Sequence, residues 1–316
     1  MLWHTFGQCD NYGILSGHKN AVLDLQWSRD SRVLFSASAD QTIASWDVET
    51  GQRIRRHQAR EGVVNCLDAS KRGFEVLASG SDDGSLRLWD PRQKEVMDEI
   101  ETSYPITAVA LSEVGTEVFT AGVDPEIKVW DMRTKRVVYA LRGHTELVSS
   151  LEVSPDSTTL LSFSHDNTVR TWDIKPFAPA NRAISTFEGA QKGQEPNLFR
   201  ASWSHDGKKI AAGGGDEYHS VTLWDVATRQ SGKITGHKGS VNDVRFHPRG
   251  EPIGVYSFPF SFIIRLSLYQ FPTSSTPGSI FFRLAAEPNM DEKMRLSLFD
   301  VYQRFGRVRT APLFVP

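Results

Sequence analysis

Apolar and polar residues alternate along the chain in short runs, and a polar turn closes each run. VLDLQWS (22 to 28), LFSASA (34 to 39) and TIASWD (42 to 47) show the pattern within one unit. Alternation with a period of two is typical of half-buried strands, and clusters of Asp, Gly, Ser and Pro separate the strands of a hairpin. The pattern predicts antiparallel strands over the first 250 residues and almost no helix.

One landmark recurs at a nearly fixed distance. A Trp followed by Asp ends an alternating run at five places, with intervals of 43, 41, 42 and 52 residues: Trp46, Trp89, Trp130, Trp172 and Trp224. This period is that of a four-stranded propeller blade. We therefore predict an all-β propeller whose third strands end at these Trp residues. The additional length of the last interval is assigned to an exposed loop between Phe187 and Asn197.

All eight Trp residues are predicted to lie in the core. Trp27 and Trp203 occupy matching places in first strands, in VLDLQWS and LFRASWS, and Trp3 stands 43 residues before Trp46. A base-stacking platform would need Lys and Arg between its aromatic residues. No such arrangement is found, so packing is the preferred interpretation of the aromatic pattern.

The repeat pattern is incomplete at both ends. Trp3 resembles the end of a third strand whose preceding strands are absent, and Gly236-His237 begins a unit that reaches Pro259 and Arg265 where Asp and Trp are due. We divide the chain into a repeat region, 1–253, and a tail outside the repeat, 254–316. Local patterns in and next to the tail predict strands at 252–257 and 262–271 and a helix at 290–305.

Composition narrows the range of functions. The chain carries 36 Lys and Arg against 38 Asp and Glu, which argues against nucleic-acid binding through bulk charge. Its two cysteines, Cys9 and Cys66, are too few for a disulfide framework and form no metal-ligand spacing. The N-terminus does not resemble a signal peptide, and no apolar run is long enough to span a membrane. We predict a soluble intracellular protein without a cofactor, a metal or a membrane partner.

A His, Ser and Asp set resembles a catalytic triad. His18 precedes Asp40 by 22 residues and Trp46 by 28, with Ser36 between them. The same spacing recurs in a later unit with His144, Ser162, Asp166 and Trp172. Because an enzyme has no reason to repeat its site, we interpret both sets as buried hydrogen-bond chains that join the loop before a blade to its turns. Three of the five units lack the Gly-His pair, and packing is expected to hold them.

Gly-His, Asp and Trp-Asp at these distances resemble the WD40-repeat family of β-propellers over residues 1 to about 253. Within that family, GQCDNYGILSGH (7 to 18) and WDIKPFAPANR (172 to 182) resemble the WD-repeat proteins of the spliceosomal U5 small nuclear ribonucleoprotein. The resemblance implies a seven-bladed pattern, of which this sequence holds five complete blades and partial first and last blades. It also implies a non-enzymatic splicing scaffold in the nucleus, whose partners are large U5 core proteins and not RNA bases.

A second function remains open. Trp89-Asp90-Pro91-Arg92 and Trp130-Asp131-Met132-Arg133 are successive WDxR boxes, similar to those that dock substrate receptors onto cullin-RING ubiquitin ligases. Arg92 and Arg133 are therefore candidate docking residues. An Arg two places after Trp-Asp also arises by chance or caps a hairpin, so the scaffold and the ligase receptor both remain as alternatives.

Overall fold

In the computed structural model the described chain consists of antiparallel strands and the turns between them. The structure describes residues 2–3, 11–58, 62–193, 197–215, 219–235, 237, 239–247, 253–257 and 261–262. No helix occurs in these ranges, and so none that could cross a bilayer. The predicted all-β propeller is confirmed.

Five sheets of four strands form the complete blades, and in each the spatial order of the strands follows the chain. Blade 1 contains β3 (Val22–Trp27), β4 (Val33–Ser38), β5 (Thr42–Asp47) and β6 (Arg53–Gln58); blade 2 contains β7 (Val64–Ala69), β8 (Leu77–Ser81), β9 (Ser85–Trp89) and β10 (Val96–Glu101); blade 3 contains β11 (Ile106–Leu111), β12 (Glu117–Gly122), β13 (Ile127–Asp131) and β14 (Arg136–Leu141); blade 4 contains β15 (Val148–Val153), β16 (Thr159–Ser164), β17 (Thr168–Asp173) and β18 (Ala183–Glu188); blade 5 contains β19 (Ala201–Trp203), β20 (Lys209–Gly213), β21 (Val221–Asp225) and β22 (Ser231–Ile234).

Partial sheets precede and follow these blades. β1 (Leu2–Trp3) pairs with β2 (Asn11–Gly13), and β23 (Val241–Phe246), β24 (Ile253–Ser257) and β25 (Ser261–Phe262) form a three-stranded sheet. This arrangement is consistent with five complete blades and partial ones at both ends. The boundary predicted between residues 253 and 254 falls within β24. Residues 263–316, with most of the strand predicted at 262–271 and the helix predicted at 290–305, lie outside the described residues.

Core packing occurs between successive blades. Phe35 and Ile43 of blade 1 cluster with Leu67 and Trp89 of blade 2, and similar clusters join blades 2 and 3, 3 and 4, and 4 and 5. Each sheet buries its apolar face only against its neighbours, as expected of a repeat protein. The fold therefore depends on the order of the blades along the chain.

The Trp-Asp landmarks end the third strands, as predicted. The Asp that follows each Trp accepts a hydrogen bond from the backbone N–H two residues later, at 2.8 to 3.1 Å, and does so in all five complete blades: Asp47, Asp90, Asp131, Asp173 and Asp225. Such a bond favours the tight turn into the fourth strand. The Trp packs in the core while the Asp shapes the turn.

The prediction that all eight Trp residues are buried is wrong for Trp27, whose side chain is 48% exposed, against 6% for Trp203 at the matching place. Trp203 lies against blade 4 and donates its indole N–H to the backbone oxygen of Glu152 at 3.3 Å. β3 starts the complete blades, and the described residues before it form only β1 and β2. Burial of this Trp therefore requires a preceding first strand.

The loop predicted between Phe187 and Asn197 begins two residues later than predicted, after β18 ends at Glu188. Phe187 completes the core face of β18, is buried, and packs with its ring centre 6.1 Å from that of Trp224. Ala190 is buried as well. Residues 189–193 follow outside any strand, and 194–196 lie outside the described residues. The loop was predicted from the length of the interval between Trp172 and Trp224, and that length does not show that β18 pairs with β17 as far as Glu188.

Candidate functional site

The second His, Ser and Asp set is joined into one hydrogen-bond chain in blade 4. His144 Nδ1 lies 2.8 Å from Asp166 Oδ2, and His144 Nε2 lies 2.7 Å from Ser162 Oγ. Trp172 donates its indole N–H to the same hydroxyl at 2.8 Å. The chain of bonds runs from the loop before the blade to its second and third strands.

The first set has the same geometry in blade 1. His18 Nδ1 lies 3.0 Å from Asp40, His18 Nε2 lies 2.7 Å from Ser36 Oγ, and Trp46 Nε1 donates to Ser36 Oγ at 2.8 Å. Asp40 also accepts the backbone N–H of Lys19 at 2.8 Å. The carboxylate thus ties the loop that carries the His to the turn before the third strand.

The environment of these sets does not suit nucleophilic catalysis. Ser162 is fully buried, and its hydroxyl lies between an imidazole and an indole, which leaves no room for a reacting carbonyl. Burial lowers the pKa of His144. Burial opposes ionisation of Asp166, yet hydrogen bonds from Thr168 and His144 lower the pKa of that carboxyl. A neutral imidazole beside a carboxylate is therefore the state expected at neutral pH.

Two of the three blades that lack the Gly-His pair carry another polar link. In blade 2 the buried guanidinium of Arg87 pairs with Glu99 at 2.9 Å and with Asp83 at 3.4 Å. In blade 3 Lys128 Nζ lies 2.8 Å from Asp124. Packing is therefore not the only substitute for the His chain. Arg87 and Lys128 each stand two residues before the Trp of their blade, but Arg170 occupies the same place in blade 4, which has the His chain, so this position alone does not identify the substitute.

The two candidate docking residues lie at corresponding turns of blades 2 and 3. The backbone N–H of Arg92 donates to Asp90 at 2.9 Å, and that of Arg133 donates to Asp131 at 2.8 Å. Both side chains are exposed, and the Arg92 guanidinium lies 6.0 Å from the ring centre of Phe74. The equivalent turn position holds other residue types in the remaining blades: Glu49, Lys175 and Ala227. The turn therefore requires the Asp and does not require the Arg.

The first strands surround a channel that contains buried charges. A cavity of about 130 Å³ is lined by Asp24, Asp68, Glu152, Arg200 and Arg245, among others. Arg200 forms an ion pair with Asp24, and Arg245 Nη1 lies 3.3 Å from Glu152 Oε2. Each pair links blades that are not neighbours in the chain. The channel is thus braced by side chains in addition to strand packing.

Ionisation of Asp68 is predicted to lower the stability of the fold as the pH rises, and Asp68→Asn should remove that pH dependence. Burial raises the pKa of Asp68 to about 6, although its carboxylate accepts the Leu111 N–H at 2.7 Å. Because the folded pKa lies above the unfolded one, the ionised carboxylate disfavours folding above pH 6, and this effect disappears as the pH falls towards 4. Asp68→Asn also replaces one of the two oxygens that accept the N–H groups of Ala69 and Leu111, so the test is how the difference in urea midpoint changes with pH and not its sign. The stability of Asp68→Asn relative to the unmodified chain should decrease between pH 6.5 and 4.5, and a pH-independent difference would contradict the assignment.

The described residues contain no cluster of three or more His, Cys, Asp or Glu side chains able to hold a metal ion. Cys66 is a buried free thiol whose pKa is raised by burial. A protonated and enclosed thiol is a poor nucleophile and a poor metal ligand.

Known proteins are similar to this chain in sequence and in fold. Residues 19–207 match the family described as nucleolar protein 10-like, N-terminal domain, and residues 228–252 match the WD domain, G-beta repeat. The pre-mRNA-splicing factor cwf17 of Schizosaccharomyces pombe is 47% identical over 253 residues, which is 80% of this chain and 74% of that protein. The human U5 small nuclear ribonucleoprotein 40 kDa protein is 43% identical over 254 residues, or 80% and 70% of the two chains.

The chain belongs to the U5 small nuclear ribonucleoprotein 40 kDa protein family of WD40-repeat propellers. A solved structure, a chain of the mitotic checkpoint complex, has a TM-score of 0.64 at 20% identity and covers 77% of this chain and 73% of its own. That likeness concerns the fold alone. Membership of the family rests on the relatives that are 43% to 47% identical.

Proposed function

We propose that the chain is a non-enzymatic protein-interaction scaffold of the U5 small nuclear ribonucleoprotein and acts in pre-mRNA splicing in the nucleus. The observation that carries the proposal is 47% identity over 253 residues to a pre-mRNA-splicing factor. The U5 40 kDa proteins of Dictyostelium discoideum and human, both 43% identical over 254 residues, support the same assignment. The WD-domain match at residues 228–252 is consistent with the proposed repeat region, 1–253, and with a tail, 254–316, outside the repeat.

The proposal assigns a structural role to both His and Asp sets. Each set holds a loop against its own blade, and its Ser hydroxyl is buried among the groups to which it is bonded. Two copies of one arrangement in one chain suit a repeated structural device. No catalytic role is assigned to His18, Ser36, Asp40, His144, Ser162 or Asp166.

The partners are proposed to be large U5 core proteins, bound through the outer surface of the propeller. Some cations are paired within the fold, such as Arg87 with Glu99 and Lys192 with Glu146. The chain as a whole has 36 Lys and Arg against 38 Asp and Glu, and so carries no excess of positive charge for a nucleic-acid backbone. No contact or relative reported above favours the ubiquitin-ligase alternative for Arg92 and Arg133.

Association with U5 RNA tests the proposal. An epitope-tagged full chain expressed in S. pombe, the source of the relative cwf17, should co-precipitate U5 small nuclear RNA at least about tenfold above the untagged control. The other spliceosomal RNAs, measured in the same precipitate, report particle specificity. Recovery of cullin and its adaptor without U5 RNA would support the ligase alternative and refute the scaffold.

A further inference from the structure

Blade 4 carries an extended turn with a fully exposed aromatic residue. The connection between its third and fourth strands covers residues 174–182, whereas the other complete blades use 48–52, 90–95, 132–135 and 226–230. Phe177 lies in this turn, and its side chain is fully exposed. A tight turn would be sufficient to join the two strands. The additional residues are therefore not required to form the hairpin.

The turn is held in one shape by its own contacts. Asp173 and Arg182 close its base, where the Asp173 N–H donates to the Arg182 carbonyl at 2.7 Å. The Arg182 guanidinium donates to the carbonyls of Asp173 and Lys175 at 3.0 and 2.9 Å. It also stacks 3.9 Å from the ring centre of Tyr139, in blade 3. Pro176 and Pro179 restrict the backbone on either side of Phe177.

Apolar side chains are exposed next to this turn on the outer strands of two blades. Val137 lies on β14 two residues before Tyr139, and Ile184 lies on β18 two residues after Arg182, each with about half of its surface exposed. Single exposed apolar residues are common on protein surfaces. An exposed aromatic side chain on a turn whose backbone is already ordered is instead typical of a binding hot spot, because the backbone needs little further ordering on association.

We propose that Phe177 is the anchor through which the chain docks into an apolar pocket of a protein partner, with Val137 and Ile184 as further contacts. The inference rests on the proposed function, since it takes that partner to be a protein of the U5 particle.

The chemistry of the turn favours a protein partner over RNA. Phe177 is flanked by Pro176 and Ala178, and the Arg182 cation is occupied by Tyr139 and two carbonyls. Lys175 is the only other cation of the turn. A base-stacking site would place several free cations around the aromatic ring.

Phe177→Ser in the tagged full chain is expected to reduce co-precipitated U5 RNA about tenfold or more, because the anchor of an interface carries most of its affinity. Phe74→Ser is the matched control, since Phe74 is a half-exposed Phe on blade 2 and should leave recovery unchanged. Phe177→Leu should retain most of the binding. Equal urea midpoints for the three variants and the unmodified chain would show that none of them acts through unfolding.

A photo-crosslinking amino acid, p-benzoylphenylalanine, at position 177 identifies what the anchor touches. The expected product is a crosslink to an apolar segment of one U5 protein, identified by mass spectrometry and absent when the same group replaces Phe74. A crosslink to RNA, or unchanged U5 recovery with Phe177→Ser, would overturn the inference while leaving the proposed function in place. If the unmodified chain recovers no U5 RNA, the proposed function fails, and the anchor, whose partner is a protein of the U5 particle, fails with it.

Discussion

Replacement of Arg200 by Met is expected to lower the free energy of unfolding by about 3 kcal/mol, the lower end of the range for breaking a buried ion pair. Asp24, with 4% of its side chain exposed, would lose the guanidinium, and only the N–H groups of Leu25 and Leu67 would remain as its hydrogen-bond donors. The Arg200 bond to the Leu23 carbonyl would also be lost. Urea denaturation followed by tryptophan fluorescence at pH 7.5 measures the difference.

The control for Arg200 is another Arg of the same channel. Arg245 pairs with Glu152, but 43% of its side chain is exposed, so Arg245→Met should cost no more than about 1 kcal/mol. In a double-mutant cycle, Asp24→Asn should be less destabilising in the Arg200→Met background than alone, because the two side chains are in contact. Additive effects would show that the ion pair across the channel is not a stabilising interaction.

Replacement of His144 by Ala is expected to lower the free energy of unfolding by about 3 kcal/mol, since it leaves Asp166 and Ser162 buried without their partner. His165 is a matched control in the same blade, because it is partly exposed and bonds only to the carbonyl of Asn197. His165→Ala should cost less than about 1 kcal/mol. Urea midpoints of the two variants provide the test.

The pH dependence of the His144→Ala effect shows whether His144 stabilises the fold through its hydrogen bonds or only by packing. Burial lowers the pKa of His144 in the folded chain. As the pH falls below about 6.5, the imidazole is therefore protonated in the unfolded chain before it is protonated in the folded chain. The contribution of His144 to stability is therefore full above that pH and decreases below it. The difference between the unmodified chain and His144→Ala should shrink between pH 7 and 5. A difference independent of pH would indicate that the side chain acts only by filling space.

Local pattern and repetition were enough to predict the blades. Alternating runs specify strands, and the recurrence of Trp-Asp specifies where third strands end, because both depend on contacts within one hairpin or one blade. The two His, Ser and Asp sets were also recognisable, since repetition at the same spacing places equivalent residues in equivalent positions. Arg87 could also have been identified from the sequence, because it is a charged residue on a strand whose other residues are buried.

The tertiary structure decided what depends on neighbours far apart in the chain. Trp27 and Trp203 occupy matching places in the sequence, but within the part of the chain that the structure describes only Trp203 has the first strand of a preceding blade against which to pack. The pair between Asp24 and Arg200 joins residues 176 positions apart, and no local period encodes it. The sequence by itself thus determined the units of the propeller. The arrangement of the blades around the channel decided which side chains are buried and which charged groups form ion pairs, because both depend on distance in space and not on distance along the chain.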